Sequence, residues 1–124
     1  MSTPPRGYFL PAIEQMITVY KTWYGYRDNL PKKSRYTLGD KIDSYFLKTL
    51  EWLHLASYQT PEDKGPTLGQ ALAGIDTLKF FLRIAWEIRV LDDKKYTALS
   101  EGLQEVGRQV GGWKKGIQTK TSAK

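Results

Sequence analysis

His54 is the only histidine of the chain and the residue best suited to acid–base chemistry or metal binding near neutral pH. Glu51 and His54 have the Glu-x-x-His spacing of carboxylate-bridged iron bundles, but no second copy completes a two-metal site. The lack of cysteine and of a second histidine also argues against zinc. No serine lies in a nucleophile-elbow pattern. These residues predict a noncatalytic protein without cofactor or metal, with His54 half-buried on a helix face.

Basic residues mixed with aromatic ones are the other candidates for chemistry. The formal net charge of +6 is compatible with a polyanion partner and equally with plain solubility. Lysine and arginine bind phosphates independently of base sequence, but the same residues could be solvated helix faces paired with acids such as Asp76 or Glu87. The candidate nucleic-acid-binding residues are Lys32, Lys33, Arg35, Lys79, Arg83, Arg108, Lys114 and Lys115.

Four segments with helical periodicity must position these residues. We predict helices over about 11–27, 34–58, 67–91 and 92–118 from hydrophobic spacing and turn residues. Residues 59–66 are rich in helix breakers and are predicted to be a loop, with Thr67 as the N-cap of the third helix. The predicted apolar stripe of the first helix is Ile13, Ile17, Tyr20 and Tyr24, and that of the fourth is Tyr96, Leu99, Leu103, Val106, Val110, Trp113 and Ile117.

This pattern predicts an all-α fold, an antiparallel up-down-up-down four-helix bundle. We expect one domain over 11–118, a flexible N-terminal arm at 1–10 and a disordered basic tail at 119–124. No stretch is long and apolar enough to span a membrane, and Met1–Gly7 lacks the pattern of a signal peptide. The sequence therefore predicts a cytoplasmic protein.

The third helix is apolar almost all round, since its charged positions fall within about 80° of a helical wheel. A helix of this kind must be buried on more than one side, which a four-helix monomer does not provide. The sequence therefore predicts an oligomer. Its predicted interface combines two residues of the third helix with a second, weaker apolar face of the second helix: Phe81, Trp86, Leu47, His54 and Tyr58.

The predicted fourth helix contains five glycines, each of which costs about 1 kcal/mol relative to alanine in a helix interior. One interpretation is that a neighbouring helix or a ligand comes close to them. The other is a poorly optimised helix with a frayed end. The glycines are Gly102, Gly107, Gly111, Gly112 and Gly116.

Three stretches of the chain resemble the accessory variability determinant (Avd) family of diversity-generating retroelements, namely Leu30–Ile42, Leu78–Arg83 and Glu105–Trp113. The resemblance extends over about residues 12–118 and rests most on the basic-aromatic-aromatic-Leu-Arg and Val-Gly-Arg…Gly-Gly-Trp patterns of the third and fourth helices. That family is similar to the four-helix-bundle proteins encoded in intervening sequences of bacterial large-subunit ribosomal RNA genes.

The resemblance implies a homopentameric, barrel-like assembly with a basic surface and no catalytic activity. It implies a partnership with the retroelement reverse transcriptase, which copies a template RNA with errors at adenines, and binding of RNA, DNA or an RNA–DNA hybrid. Lys79, Arg83 and Arg108 match the family pattern best. Two alternatives stay open, namely an intervening-sequence-type bundle without a polymerase partner and an enzyme or small-molecule-binding bundle that uses His54.

Overall fold

The computed structural model describes residues 11–122, with side chains as far as Gln118, and every regular element in this range is helical. The predicted N-terminal arm at 1–10 and residues 123–124 of the predicted tail lie outside the described residues. The helices are α1 (Pro11–Arg27), α2 (a turn at Lys32–Ser34, a π-helical segment at Arg35–Gly39 and an α-helix at Asp40–Tyr58), α3 (Pro61–Glu87) and α4 (Asp93–Ser122).

The four helices form an antiparallel bundle in which each helix packs against the next and α4 returns to pack against α1. Between α2 and α3 the ring of Tyr45 stacks on that of Phe81 with centroids 5.7 Å apart. Between α3 and α4 the Lys79 ammonium donates a 3.1 Å hydrogen bond to Gln104 Oε1. The fold of the described residues therefore agrees with the predicted all-α four-helix bundle.

The core lies along the bundle axis, where each helix contributes residues at spacings of three and four. In α1 the buried residues are Ala12, Met16, Val19 and Trp23, which corrects the predicted stripe of the first helix. Ile17 and Tyr24 of that stripe are exposed. Both sets have helical spacing, and the structure buries the set that contains Trp23, the bulkiest side chain of the helix. The predicted stripe of the fourth helix is confirmed, with Leu99, Leu103, Val106 and Val110 fully buried.

The prediction of a loop over 59–66 is wrong from Pro61 onward, because α3 begins there and contains Gly65 and Pro66 within its first turns. Proline fits the first position of a helix, where its missing N–H has no intrahelical role. Thr67, the predicted N-cap, instead lies inside α3, and its hydroxyl donates to the Asp63 carbonyl over 3.3 Å. α4 also extends four residues beyond its predicted end at Gln118.

Two glycines mark close approaches between helices. A Cβ on Gly102 would lie 2.6 Å from Val19 Cγ2 of α1, and a Cβ on Gly74 would lie 2.6 Å from the hydroxyl oxygen of Thr49 in α2. Apart from the adjacent residues and the backbone of α4 itself, no described atom lies within 4 Å of a Cβ placed at the other four glycines of α4. The prediction of a close neighbour is therefore confirmed for Gly102 alone.

Candidate nucleic-acid interface

Lys79 and Arg83 lie on the side of the bundle formed by α3 and α4, whereas Arg108 of α4 lines a groove with Pro11 and Ala12 of α1. Each of the three is engaged within the chain. Lys79 donates to Gln104, while Arg83 lies 3.7 Å from Glu87 in an exposed ion pair one turn along α3. Arg108 donates two hydrogen bonds to Glu105, one of them 2.9 Å from Nε to Oε2.

The ion pair between Arg108 and Glu105 changes the pKa of both side chains. The hydrogen bond from Arg108 lowers the pKa of the Glu105 carboxyl, and the same bond raises the pKa of the arginine. Both side chains are therefore charged at neutral pH and offset one another locally. This exposed pair is weak, so phosphate can compete for the guanidinium.

The predicted cations of the first loop divide into two roles. Lys32 and Lys33 begin α2 and are exposed, without an ion pair to any described residue. Arg35 is half-buried, and its Nη2 donates to the carbonyls of Asp28 and Leu30 over 3.0 and 3.1 Å. Arg35 therefore fixes the shape of the loop that presents the two lysines.

The π-helical segment that follows brings one aromatic side chain to the surface. Tyr36 is 63% exposed and follows Lys32 and Lys33 by four and three residues. Gly39 closes the segment, where a Cβ would lie 3.2 Å from Leu30 Cδ1. π-helical turns occur frequently at functional sites.

Two further exposed cations, which the sequence analysis missed, lie in and after the connection between α3 and α4. Arg89 has a φ of 66°, in the left-handed region. The N–H of Val90 donates to the Ala85 carbonyl over 2.8 Å and that of Arg89 to the Trp86 carbonyl over 3.0 Å, which is the hydrogen-bond pattern of a Schellman motif. Glycine is the usual residue at this position, and with arginine there no turn residue marks the end of α3 in the sequence. The second cation is Lys94, in the first turn of α4.

The α1–α2 and α3–α4 connections lie at the same end of the bundle, which we call the loop end. Lys95 of α4 places its ammonium 5.4 Å from the centroid of the Tyr26 ring in α1. Arg27 at the end of α1 forms a 2.6 Å ion pair with Asp40 of α2. The loop end therefore carries Lys32, Lys33, Tyr36, Arg89 and Lys94.

The remaining predicted cations lie near the opposite end of the bundle. Lys114 packs near Gly69, 3.8 Å from the position of a Cβ there, and Lys115 is exposed. Beside them the Lys64 ammonium lies 5.7 Å from the Trp113 ring centroid. The structure therefore divides the eight predicted nucleic-acid residues among four surfaces, namely the α3–α4 side, the groove between α1 and α4, the loop end and the opposite end.

The predicted oligomer residues do not share one face either. Phe81 stacks on Tyr45 of α2, whereas Trp86 stacks on Tyr96 of α4 and donates its indole N–H to Asp93 over 2.7 Å. The other three lie on the outer side of α2, namely Leu47, His54 and Tyr58.

His54 is exposed rather than half-buried, so that part of the prediction is wrong. Its ring meets Tyr58 edge-on, with centroids 5.0 Å apart, and its backbone carbonyl accepts a hydrogen bond from Ser57. Among residues 11–122, no group of three or more histidine, aspartate or glutamate residues could hold a metal ion. None of the helices in the same range is long and apolar enough to cross a membrane.

Comparison with known proteins identifies the family. The chain matches the model of the bAvd-like family over residues 12–117, which takes in α1, α2, α3 and most of α4. No curated protein matches the chain. Because the family match covers more than half of the sequence, the chain belongs to the bAvd-like family, an accessory and generally noncatalytic family.

Proposed function

We propose that this chain is the noncatalytic accessory protein of a diversity-generating retroelement, acting in the cytoplasm. In this role it binds the retroelement's reverse transcriptase together with the template RNA and its cDNA, and so supports mutagenic copying. The family match over residues 12–117 carries the proposal, because it covers all four helices. It favours this role over an intervening-sequence-type bundle without a polymerase partner.

The distribution of charge supports nucleic acid as a partner. The net charge is +6, and exposed cations occur at both ends of the bundle and on the α3–α4 side. Arg83 and Arg108 are held only by exposed ion pairs, which contribute little energy and compete poorly with a polyanion. Such a surface binds backbone phosphates and releases counterions, so binding is sequence-independent and falls with salt.

The distribution of exposed apolar residues supports a ring-shaped oligomer. One apolar strip, the α1–α2 strip, contains Ile17, Tyr24 and Leu47, and a second, the α3 strip, contains Phe80 and Ile88. A cyclic assembly joins two different faces of each subunit, and two separate strips meet that requirement. We propose that they close the homopentamer implied by the Avd resemblance, so that the cations of five subunits act together.

The nucleic-acid part of the proposal is tested by fluorescence anisotropy with a structured RNA and a matching RNA–DNA hybrid over a series of salt concentrations. We expect submicromolar binding near physiological salt and a steep negative slope of log affinity against log salt. Millimolar or absent binding to both ligands would contradict a nucleic-acid role and favour a bundle that binds only proteins.

A further inference from the structure

The loop end carries an exposed aromatic ring, Tyr36 of α2, and an exposed arginine, Arg89 after α3. The two residues lie at about the same level along the bundle axis. Tyr45 and Phe81 stack between α2 and α3. Tyr36 precedes Tyr45 by nine residues and Arg89 follows Phe81 by eight. At about 1.5 Å per residue, both residues lie some 12–14 Å from the Tyr45–Phe81 pair, in the direction of the loop end.

Four cations of the loop end, Lys32, Lys33, Arg89 and Lys94, form no ion pair with any described residue, unlike Arg83 of the α3–α4 side, which pairs with Glu87. Of the nearby acids, Asp40 pairs with Arg27, Asp93 accepts from Trp86, and Asp92 Oδ1 accepts the backbone N–H of Lys95 over 2.8 Å. The carboxylate of Asp28, in the α1–α2 connection, is exposed and forms no ion pair with a described residue. The four cations Lys32, Lys33, Arg89 and Lys94 are therefore available to an external anion.

Arg89 gives an independent reason to assign a ligand to this end. Its left-handed backbone is strained for any residue with a Cβ, and glycine would relieve that strain. The Arg89 side chain is exposed and makes no hydrogen bond within the described residues, so it does not stabilise the fold. The backbone of Arg89 caps α3 in the Schellman motif, whereas its side chain contributes nothing to that cap, so a ligand of the side chain would explain why arginine stands where glycine is usual.

We propose that the loop end binds single-stranded nucleic acid, with an unpaired base stacked on Tyr36 and flanking phosphates on Lys32, Lys33, Arg89 and Lys94. This inference rests on the proposed function and specifies the form of nucleic acid bound. Stacking on an aromatic side chain requires an open base face, which a duplex does not offer.

Replacement of Tyr36 tests the stacking contact. The ligands are a labelled single-stranded oligonucleotide, as RNA and as DNA, and the same sequence as a duplex. Tyr36→Ala should weaken single-strand binding about fivefold or more and leave duplex binding unchanged. Tyr36→Phe, which keeps the ring, should bind like the wild type. Arg83→Ala on the α3–α4 side is the control that removes a charge elsewhere, and it should weaken the binding of single strand and duplex alike. Thermal unfolding checks that each variant is folded.

Replacement of Arg89 separates binding from folding. Arg89→Gly should raise the melting temperature, because it removes the backbone strain, and at the same time weaken single-strand binding. The slope of log affinity against log salt should decrease in magnitude by about 0.7, the value for one phosphate contact with a single strand. A residue with only a structural role would not change stability and affinity in opposite directions.

The outcomes are distinguishable. If Tyr36→Ala and Arg89→Gly bind like the wild type while Arg83→Ala is weakened, the loop-end assignment is overturned and the proposed function stands. Equal weakening of single strand and duplex by Tyr36→Ala also overturns the stacking contact. Loss of polymerase affinity alone would assign the loop end to the protein partner and overturn the inference. If the wild type binds no nucleic acid, both proposals fail.

Discussion

The indole N–H of Trp23 in α1 donates a 3.2 Å hydrogen bond to Asp43 Oδ1 in α2, although the tryptophan is fully buried. The Tyr20 hydroxyl donates to the same oxygen over 3.0 Å, and Arg27 Nη1 lies 3.8 Å from Oδ2. α1 packs less extensively on α2 than on α4, and this carboxylate and the Arg27–Asp40 ion pair are polar connections between the first two helices. The Asp43 carboxylate fixes the approach of α1 to the start of α2, near the loop end.

Removal of this carboxylate should destabilise the fold. Asp43→Ala leaves the buried indole N–H of Trp23 without an acceptor, which we expect to cost about 1–3 kcal/mol in the free energy of unfolding. Asp40→Ala is the matched control on the same helix, because it removes only the exposed pair with Arg27 and should cost at most about 1 kcal/mol. Chemical denaturation of both variants measures the difference, and equal losses would contradict the role assigned to Asp43.

The Tyr20 hydroxyl makes the stability of the fold sensitive to alkaline pH. Burial raises the pKa of Tyr20 above 10.0, and its hydrogen bond to Asp43 raises it further. The folded state therefore favours the neutral phenol, so the stabilisation is complete below the unfolded pKa and is lost as pH rises through the folded pKa.

Comparison with Tyr20→Phe isolates this titration. The difference in unfolding free energy between the wild type and Tyr20→Phe should be constant from about pH 7 to 9 and should shrink above about pH 10. Denaturation at a series of pH values measures it. A difference that stays constant to pH 11 would show that the Tyr20 pKa is not raised in the folded state.

Two glycines of α4 should respond in opposite directions to alanine. Gly107→Ala meets open space and should stabilise the protein by about 1 kcal/mol through helix propensity. Gly102→Ala drives a methyl group against Val19, whose side chain is stiff in a helix, and overpacking of this kind costs about 1–3 kcal/mol. In a Val19→Ala background Gly102→Ala should become favourable, and destabilisation there as well would rule out the Val19 clash as its cause.

The proposed oligomer should depend on exposed residues rather than on the half-buried aromatics of α3. Leu47→Asp or Phe80→Asp should convert the proposed pentamer to monomers without loss of helix content, since both side chains are 43% or more exposed. Phe81→Asp should instead unfold the subunit, because its ring packs on Tyr45. Sedimentation velocity with circular dichroism distinguishes these results. Pentamer mass in both exposed variants would contradict the assignment of the two strips.

The helical fold was predictable because most of its core pattern is local. The α4 stripe has no competing apolar face, so its buried residues follow from spacing alone. α1 has two apolar faces with the same spacing, and only the position of its neighbours shows that Trp23 and Met16 are buried. The start of α3 was missed because the sequence marks Pro61 as a breaker, whereas its position in the first turn makes it an initiator.

The candidate site was harder to predict. Whether a lysine or arginine is free to bind phosphate depends on which groups it contacts in the folded chain. Lys79 donates a hydrogen bond to Gln104 of another helix, twenty-five residues away, and no local sequence pattern predicts that bond. Arg35 appears from sequence to be one of three equivalent loop cations, yet it is held by two backbone carbonyls. Arg89 was missed because a Schellman turn normally has glycine where this chain has arginine.

The most direct test of the accessory role is whether the chain forms a complex with its reverse transcriptase. The purified chain is mixed with the polymerase encoded in the same retroelement, and the mixture is examined by sedimentation velocity after nuclease treatment, with an unrelated reverse transcriptase as control. The proposed function predicts one faster-sedimenting species that contains both proteins and is absent with the control polymerase. Separate sedimentation of the two proteins at micromolar concentration, with and without template RNA, would contradict it.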